Sequence, residues 1–149
     1  MPKFKDCIYV LAQLFLLVIY FYPMQRLNFN IYFVYRLLGL MLCGLGCYCV
    51  IAAFQQLEKN ASPFPSPVKN GRFIQSGLYK QVRHPIYSGM IFMTLGYGVY
   101  CQSYWKLGIG LLLWLLLYFK SRYEEALLAR RFVFYNAYRK GRNRFFPKL

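Results

Sequence analysis

The sequence GLYKQVRHPIYSG at residues 77–89 lies where a polar, basic loop changes into an apolar run, and it holds the only histidine, His84. Proline cannot continue a helix but suits its first turn, so Pro85 predicts a helix start. The residue before a proline is pushed towards an extended conformation, which favours a boundary at His84. Interfacial anchoring by basic and aromatic residues is one explanation of the stretch. Anchoring alone, however, does not require the Arg-His-Pro order or the flanking glycines.

The composition of the chain is that of a membrane protein. Hydrophobic residues make up 58% of the 149 residues and charged residues only 15%, against about 25% charged residues in an average soluble domain. The length predicts a single domain over residues 1–149. The net charge of +15 indicates nucleic acid or anionic lipid as a partner. Because the sequence has no zinc-finger spacing and no RNP-like motif, we expect membrane lipid and no nucleic acid.

Four apolar runs predict an all-α, polytopic membrane protein with about four transmembrane helices. The runs are residues 7–22, 31–54, 86–101 and 104–119. A span needs about 20 apolar residues, so the second run is long enough and the first is slightly short. The last run is predicted to continue out of the membrane as one helix to about Arg131. Small residues in the second run predict close helix packing, namely Gly39, Cys43, Gly46 and Cys47.

Charge asymmetry predicts the orientation of these spans. Lys and Arg concentrate in the N-terminal tail, in the loop at residues 55–83 and in the C-terminal tail, whereas the other two loops hold only Arg26 and Lys106. The positive-inside rule then places both termini and the long loop in the cytoplasm. Residues 132–149 alternate aromatic and basic side chains, which predicts a helical, amphipathic tail on anionic lipid. The tail and residues 77–89 would share one side and could meet.

Two of the four acids in the chain are adjacent, Glu124 and Glu125, at the predicted cytoplasmic exit of the last span. Helix pairing explains them poorly, because the residues four positions later, Leu128 and Ala129, are neutral. A solvated helix face is one explanation, and a site for a cationic ligand is the other. The five cysteines lie in or beside apolar runs, and Cys43 and Cys47, which are four positions apart, have no histidine or acid nearby, so we expect no metal site.

Motifs in a fixed order then resemble a known family. Residues 77–89 are followed by a hydrophobic hairpin, by Arg-Tyr-Glu-Glu-Ala-Leu-Leu at 122–128, by Phe-x-x-Tyr-x-x-Tyr at 132–138 and by Phe-Pro at 146–147. Over residues 69–147 this order resembles the isoprenylcysteine carboxyl methyltransferase and phospholipid methyltransferase superfamily of integral membrane enzymes. The resemblance implies S-adenosyl-L-methionine as the cofactor, bound by residues 69–87 and 120–147, and a lipophilic acceptor.

The resemblance also implies a set of site residues by position. A basic residue four positions before the first glutamate faces the substrate in the family, and this position is Lys120 here instead of arginine. Arg122 has the family's residue type, Lys120 shares a helix face with Glu124, and Arg83 is a third candidate for the catalytic cation. The implied cofactor contacts are Arg72, Phe73, Ile74, Tyr79, His84, Pro85, Ile86, Tyr87 and Glu124, with Glu125 adjacent.

The sequence therefore predicts methyl transfer to a lipophilic acceptor at the cytoplasmic membrane interface. With many cations and few acids in the chain, isoprenylcysteine-like O-methylation of a carboxylate is favoured, and N-methylation of a phospholipid amine is the alternative. A non-enzymatic scaffold that binds anionic lipid would explain the charge but neither the glutamate pair nor Arg-His-Pro. A transporter would require ionisable residues in mid-span, and only Arg36 comes close to this requirement.

Overall fold

The structure is a computed structural model that describes residues 4–24, 28–58, 62–67, 71 and 73–147. Over these residues the chain is all-helical without a β-strand, which confirms the all-α part of the predicted fold class. The five helices are α1 (Phe4–Tyr20), α2 (Phe33–Leu57), α3 (Pro85–Tyr100), α4 (Tyr104–Arg131) and α5 (Tyr135–Lys140). A short 3₁₀ helix at Gly77–Lys80 precedes α3.

Each of the four apolar runs forms a helix, but their lengths differ. Within the described residues, α2 with its 25 residues is the one helix that is both long and apolar enough to cross a membrane. Helices α1 and α3 have 17 and 16 residues, which is shorter than the span of about 20 that a bilayer requires. Helix α4 is continuous to Arg131, as predicted, but charged side chains interrupt its apolar sequence. The four-span topology stays a prediction.

Local chemistry explains where α3 and α4 begin. Pro85 is at the start of α3, and His84 before it has φ −131° and ψ 66°, outside the helical region, so the predicted boundary is confirmed. Ser103 caps α4, because its hydroxyl accepts a hydrogen bond from the backbone N–H of Lys106 at 3.4 Å. The turn between the two helices places Gln102 at a φ of +54°.

Glycines set the closest helix contact, between α2 and α3. Gly39 faces Gly96, and a Cβ added to Gly46 would lie 2.6 Å from the carbonyl oxygen of Gly89. The backbones therefore approach as they do in small-residue packing between membrane helices. Cys47, predicted to belong to this contact, is exposed instead. Helix α3 also packs on α4, and α4 packs on α1, so α1 and α2 are the outer helices.

The tail folds back onto the stretch at 77–89. The backbone N–H groups of Arg83 and His84 donate to the carbonyls of Asn143 and Arg144 at 3.0 and 3.1 Å, and the Tyr138 hydroxyl donates to the Tyr79 carbonyl at 2.6 Å. The meeting of the two segments is as expected. The lipid-facing prediction is wrong for three of the tail's aromatic side chains, which are buried against protein, namely Tyr135, Tyr138 and Phe145; Phe134 and Phe146 are exposed, and for them it stays a prediction.

Candidate functional site

A cavity of about 450 Å³ lies at the end of the bundle where residues 77–89 meet the tail. Its volume is within the range of about 300–1,000 Å³ typical of small-molecule sites. Every long helix contributes to the wall, and the connector at residues 62–67 contributes all six of its described residues. The polar and ionisable side chains in the wall come from α1, the 77–89 stretch, α4 and the tail, and include Gln13, Tyr79, Arg83, His84, Tyr87, Lys120, Glu124, Tyr135 and Tyr138.

Glu124 presents a carboxylate to this cavity beside aromatic rings. The Tyr87 hydroxyl donates to its Oε2 at 2.9 Å, and His84 Nδ1 lies 3.8 Å from the same oxygen. The His84 and Tyr87 rings are stacked, with centroids 5.3 Å apart and planes inclined by 4°. The Glu124 side chain is 26% exposed, so part of the carboxylate is available to a ligand.

Glu125 occupies a different environment from its neighbour. It is 1% exposed and accepts hydrogen bonds from Arg83 at 3.1 Å, from His84 at 3.1 Å and from two nitrogens of Arg144 at 3.0 and 3.1 Å. Burial raises the pKa of Glu125, but the hydrogen bonds from His84 and Arg144 and the charges of His84 and Arg83 outweigh burial and lower this pKa to about 2. Glu125 is thus absent from the cavity wall, and its carboxylate joins the tail to residues 77–89; a contact between Glu125 and the cofactor stays a prediction.

The three candidate cations are placed very differently. Lys120 lines the cavity and is 2% exposed, and its ammonium donates to Gln13 Oε1 at 2.7 Å and to the Pro63 carbonyl at 3.1 Å. Burial lowers the pKa of Lys120, and the charge of Glu124 partly offsets this effect. Arg83 also lines the cavity, but it is engaged with Glu125. Arg122, preferred by residue type, is exposed and lies outside the cavity wall.

Most of the residues implied as cofactor contacts come together. The cavity wall includes Phe73, Ile74, Tyr79, His84, Ile86, Tyr87 and Glu124. Pro85 and Glu125 are not part of the wall, and Arg72 lies outside the described residues. The wall also includes residues that the sequence interpretation missed, above all Gln13 and the connector. Gln13 could have been found, because it is the one side-chain amide in the first apolar run and polar residues within spans are often functional.

The residues of the wall can attract groups of either charge. Glu124 and the rings of Phe73, Tyr79 and Tyr87 attract a cation, through charge and through the faces of the rings. Lys120, on the same helix face as Glu124, attracts an anion. The apolar part of the wall comes from α1, α2 and α3, through Val10, Leu14, Phe54, Leu57 and Met90.

The fold is thus a helical bundle with one helix apolar and long enough to cross a membrane among the described residues, and with a cavity of small-molecule size at one end. The model of the phospholipid methyltransferase family matches residues 34–133, more than half of the chain, so the chain belongs to this family. The match runs from α2 to the end of α4 and contains the 77–89 stretch and both glutamates. It confirms the superfamily resemblance and implies methyltransferase activity on lipid-type substrates. A search of the curated proteins found no match to the chain.

Proposed function

We propose that the chain is a membrane methyltransferase that uses S-adenosyl-L-methionine and methylates a lipophilic acceptor at the cytoplasmic interface. One observation carries the proposal: Glu124, aromatic rings and the Lys120 ammonium line a single cavity, although the sequence separates them by up to 51 residues, from Phe73 to Glu124. This cavity is at the end of an apolar bundle. A polar cofactor can reach such a position from the cytosol and a lipid can reach it from the bilayer.

The cavity fits the cofactor through the chemistry of its side chains. When bound, S-adenosyl-L-methionine supplies an activated methyl group on a positively charged sulfonium. Glu124 would provide the opposite charge, and Tyr87 orients that carboxylate through its hydroxyl. Phe73, Ile74, Tyr79, His84 and Ile86 would complete the pocket, together with Arg72 as a prediction from the sequence. Methyl transfer from the sulfonium to an acceptor is an in-line displacement, and holding the two reactants in a fixed orientation supplies a large part of its rate.

The acceptor would enter from the apolar side of the cavity. Helix α1 packs on α4 and α2 packs on α3, and the cavity has wall residues from both outer helices. The apolar part of the acceptor would lie against Val10, Leu14 and Leu57. Its polar end would then reach Lys120, which we propose as the cation that faces the acceptor, with Arg83 holding the tail instead.

Two acceptor chemistries place different demands on these residues. A carboxylate is already nucleophilic, so it needs only a cation to hold it, and Lys120 can supply that charge. The proposal therefore favours O-methylation of a prenylcysteine-type carboxylate. A phospholipid amine must first lose a proton to a base. The name of the family supports this second candidate, and Glu124 and His84 are the groups in the wall that could accept the proton.

The cofactor assignment is tested with Glu124→Gln, which removes the charge but keeps the shape. We expect calorimetry in detergent to show an affinity for S-adenosyl-L-methionine weaker by about 1–3 kcal/mol, the scale of a hydrogen bond to a charged group. Glu58→Gln is the matched control, because Glu58 is exposed and outside the cavity wall. An unchanged affinity in folded Glu124→Gln would refute the assignment and leave Glu124 as a solvated acid.

The acceptor is tested by radiolabelled methyl transfer to a prenylcysteine analogue and to phosphatidylethanolamine in parallel. Lys120→Ala should abolish transfer and leave cofactor affinity nearly unchanged, whereas Arg122→Ala should keep its activity because Arg122 is exposed. If Arg122→Ala abolishes transfer and Lys120→Ala keeps it, then Arg122 is the cation that faces the acceptor. If the unmodified protein methylates neither compound, both proposed acceptors are wrong, although the cofactor assignment can still hold.

A further inference from the structure

Gln13 is an amide in the middle of α1, and both ends of that amide have partners on other helices. Its Oε1 accepts the hydrogen bond from the Lys120 ammonium of α4 at 2.7 Å. Its Nε2 lies 3.6 Å from the sulfur of Met90 on α3. Gln13 also lines the cavity. The glutamine therefore has a fixed orientation, with its oxygen directed at Lys120.

Lys120 is held almost entirely by uncharged groups. Among the described residues, its two hydrogen-bond acceptors are Gln13 Oε1 and the Pro63 carbonyl, and the Tyr87 ring centroid is 5.4 Å from its nitrogen. Burying an ammonium costs free energy unless its donors are satisfied. The ionisable groups that share the cavity wall with it are Glu124 from its own helix, Tyr87 from α3, Arg83 and His84 before α3, and Tyr79, Tyr135 and Tyr138.

Other contacts hold α1 on α4 without Gln13. The rings of Tyr9 and Tyr123 stack with centroids 5.8 Å apart, one turn before Gln13 along α1. Towards the opposite end, Trp105 Nε1 donates to the Ile19 carbonyl at 3.2 Å, and the Lys106 ammonium donates to the Tyr20 carbonyl at 3.1 Å. Helix α1 is therefore attached to α4 on both sides of Gln13 by contacts that do not involve the hydrogen bond between Gln13 and Lys120.

We infer that Gln13 is a positioning residue, which fixes the Lys120 ammonium at the cavity wall and makes α1 part of the site. The inference rests on the proposed function of that site. Helix α1 lies outside the matched residues 34–133, so the family match does not cover this contribution. An ammonium with three donors on a flexible four-carbon stem has many orientations. Two acceptors on separate elements, Gln13 and Pro63, reduce these orientations to one that faces the cavity.

The test uses three variants of the full chain in detergent. Gln13→Leu removes the acceptor, Gln13→Glu keeps an acceptor oxygen at nearly the same place, and Gln55→Leu is the matched control on an exposed glutamine of α2. The first readout is the rate at which an amine-acylating reagent labels Lys120, followed by mass spectrometry. We expect about a tenfold faster rate in Gln13→Leu, the factor that corresponds to a lost hydrogen bond of a charged group. Gln13→Glu and Gln55→Leu should keep the slow rate.

The second readout is methyl transfer to the two acceptors. Gln13→Leu should lower kcat by about tenfold while cofactor affinity is unchanged. Equal labelling of Lys120 in Gln13→Leu and the unmodified protein would overturn the inference, and so would fast labelling in Gln13→Glu, which would show a general loosening of α1. If Lys120 is labelled fast only in Gln13→Leu but the unmodified protein transfers no methyl group, Gln13 still positions Lys120 and the proposed function is wrong.

Discussion

Replacing Glu125 by glutamine should separate the roles of the two adjacent acids. The Glu125 carboxylate accepts hydrogen bonds from Arg83, His84 and Arg144. Glutamine has almost the same shape but only one acceptor oxygen, and its NH₂ group would face the donors of the guanidinium groups. The change therefore leaves positive charge without its partner at the point where the tail joins residues 77–89.

The structure gives the size of the effect. Interactions with His84, Arg144 and Arg83 lower the pKa of Glu125 from 4.5 to about 2, although burial acts in the opposite direction. At about 1.4 kcal/mol for each pH unit, this difference corresponds to about 3 kcal/mol in favour of the charged form. The value agrees with the loss of about 3–5 kcal/mol seen when one partner of a buried ion pair is removed. We therefore expect Glu125→Gln to lower the free energy of unfolding by about 3 kcal/mol.

The pH dependence has a definite sign. Because the folded-state pKa of Glu125 lies below its unfolded value of 4.5, its stabilisation is fully present above about pH 4.5 and is lost as the pH falls towards 2. The difference in stability between the unmodified protein and Glu125→Gln should therefore shrink over this interval. A group whose pKa is raised on folding would give the opposite trend.

The assay combines denaturant unfolding in detergent with limited trypsin digestion of the tail. Glu125→Gln should be cleaved faster within residues 139–144, because Arg144 donates to both carboxylate oxygens of Glu125 and glutamine keeps only one acceptor oxygen. Glu124→Gln is the matched control and should keep nearly full stability, since the structure gives Glu124 one hydrogen bond, from Tyr87. Equal stability and equal cleavage of the two variants at pH 7 would refute the assignment of Glu125 to the tail.

Two further predictions concern packing and orientation. Gly46→Ala should destabilise the protein by about 1–3 kcal/mol through overpacking, because its Cβ would lie 2.6 Å from backbone atoms of Gly89 and Met93; Gly44→Ala, with nothing within 4 Å of its Cβ, should not. Thermal unfolding of both variants checks this, and equal losses would contradict it. If both termini are cytoplasmic, an otherwise cysteine-free chain with Gln75→Cys should be labelled only from the cytoplasmic side, and one with Asn30→Cys only from the opposite side. Labelling of Gln75→Cys from outside would contradict the orientation.

Local rules made the helices of this chain largely predictable. Pro85 determines the start of α3 through its fixed φ and missing N–H, and the apolar period from residue 104 onward continues through the charged segment to Arg131. The tail was predicted less well. Its aromatic residues suit a lipid surface and a protein surface equally, because both are apolar, so the sequence pattern does not distinguish lipid from the 77–89 stretch.

By itself, the sequence determined an all-helical fold, the glycines at the closest helix contact and several of the segments that line the cavity. Only the tertiary structure decided which side chain in each segment reaches the cavity. In the structure Glu124 and Lys120 line the cavity, whereas Glu125 is buried beside the tail and Arg122 is exposed. The reason is physical: a helical period shows which residues of one helix share a face, whereas the surroundings of that face come from distant residues. For Lys120 these are Gln13, 107 positions away, and Pro63, 57 positions away.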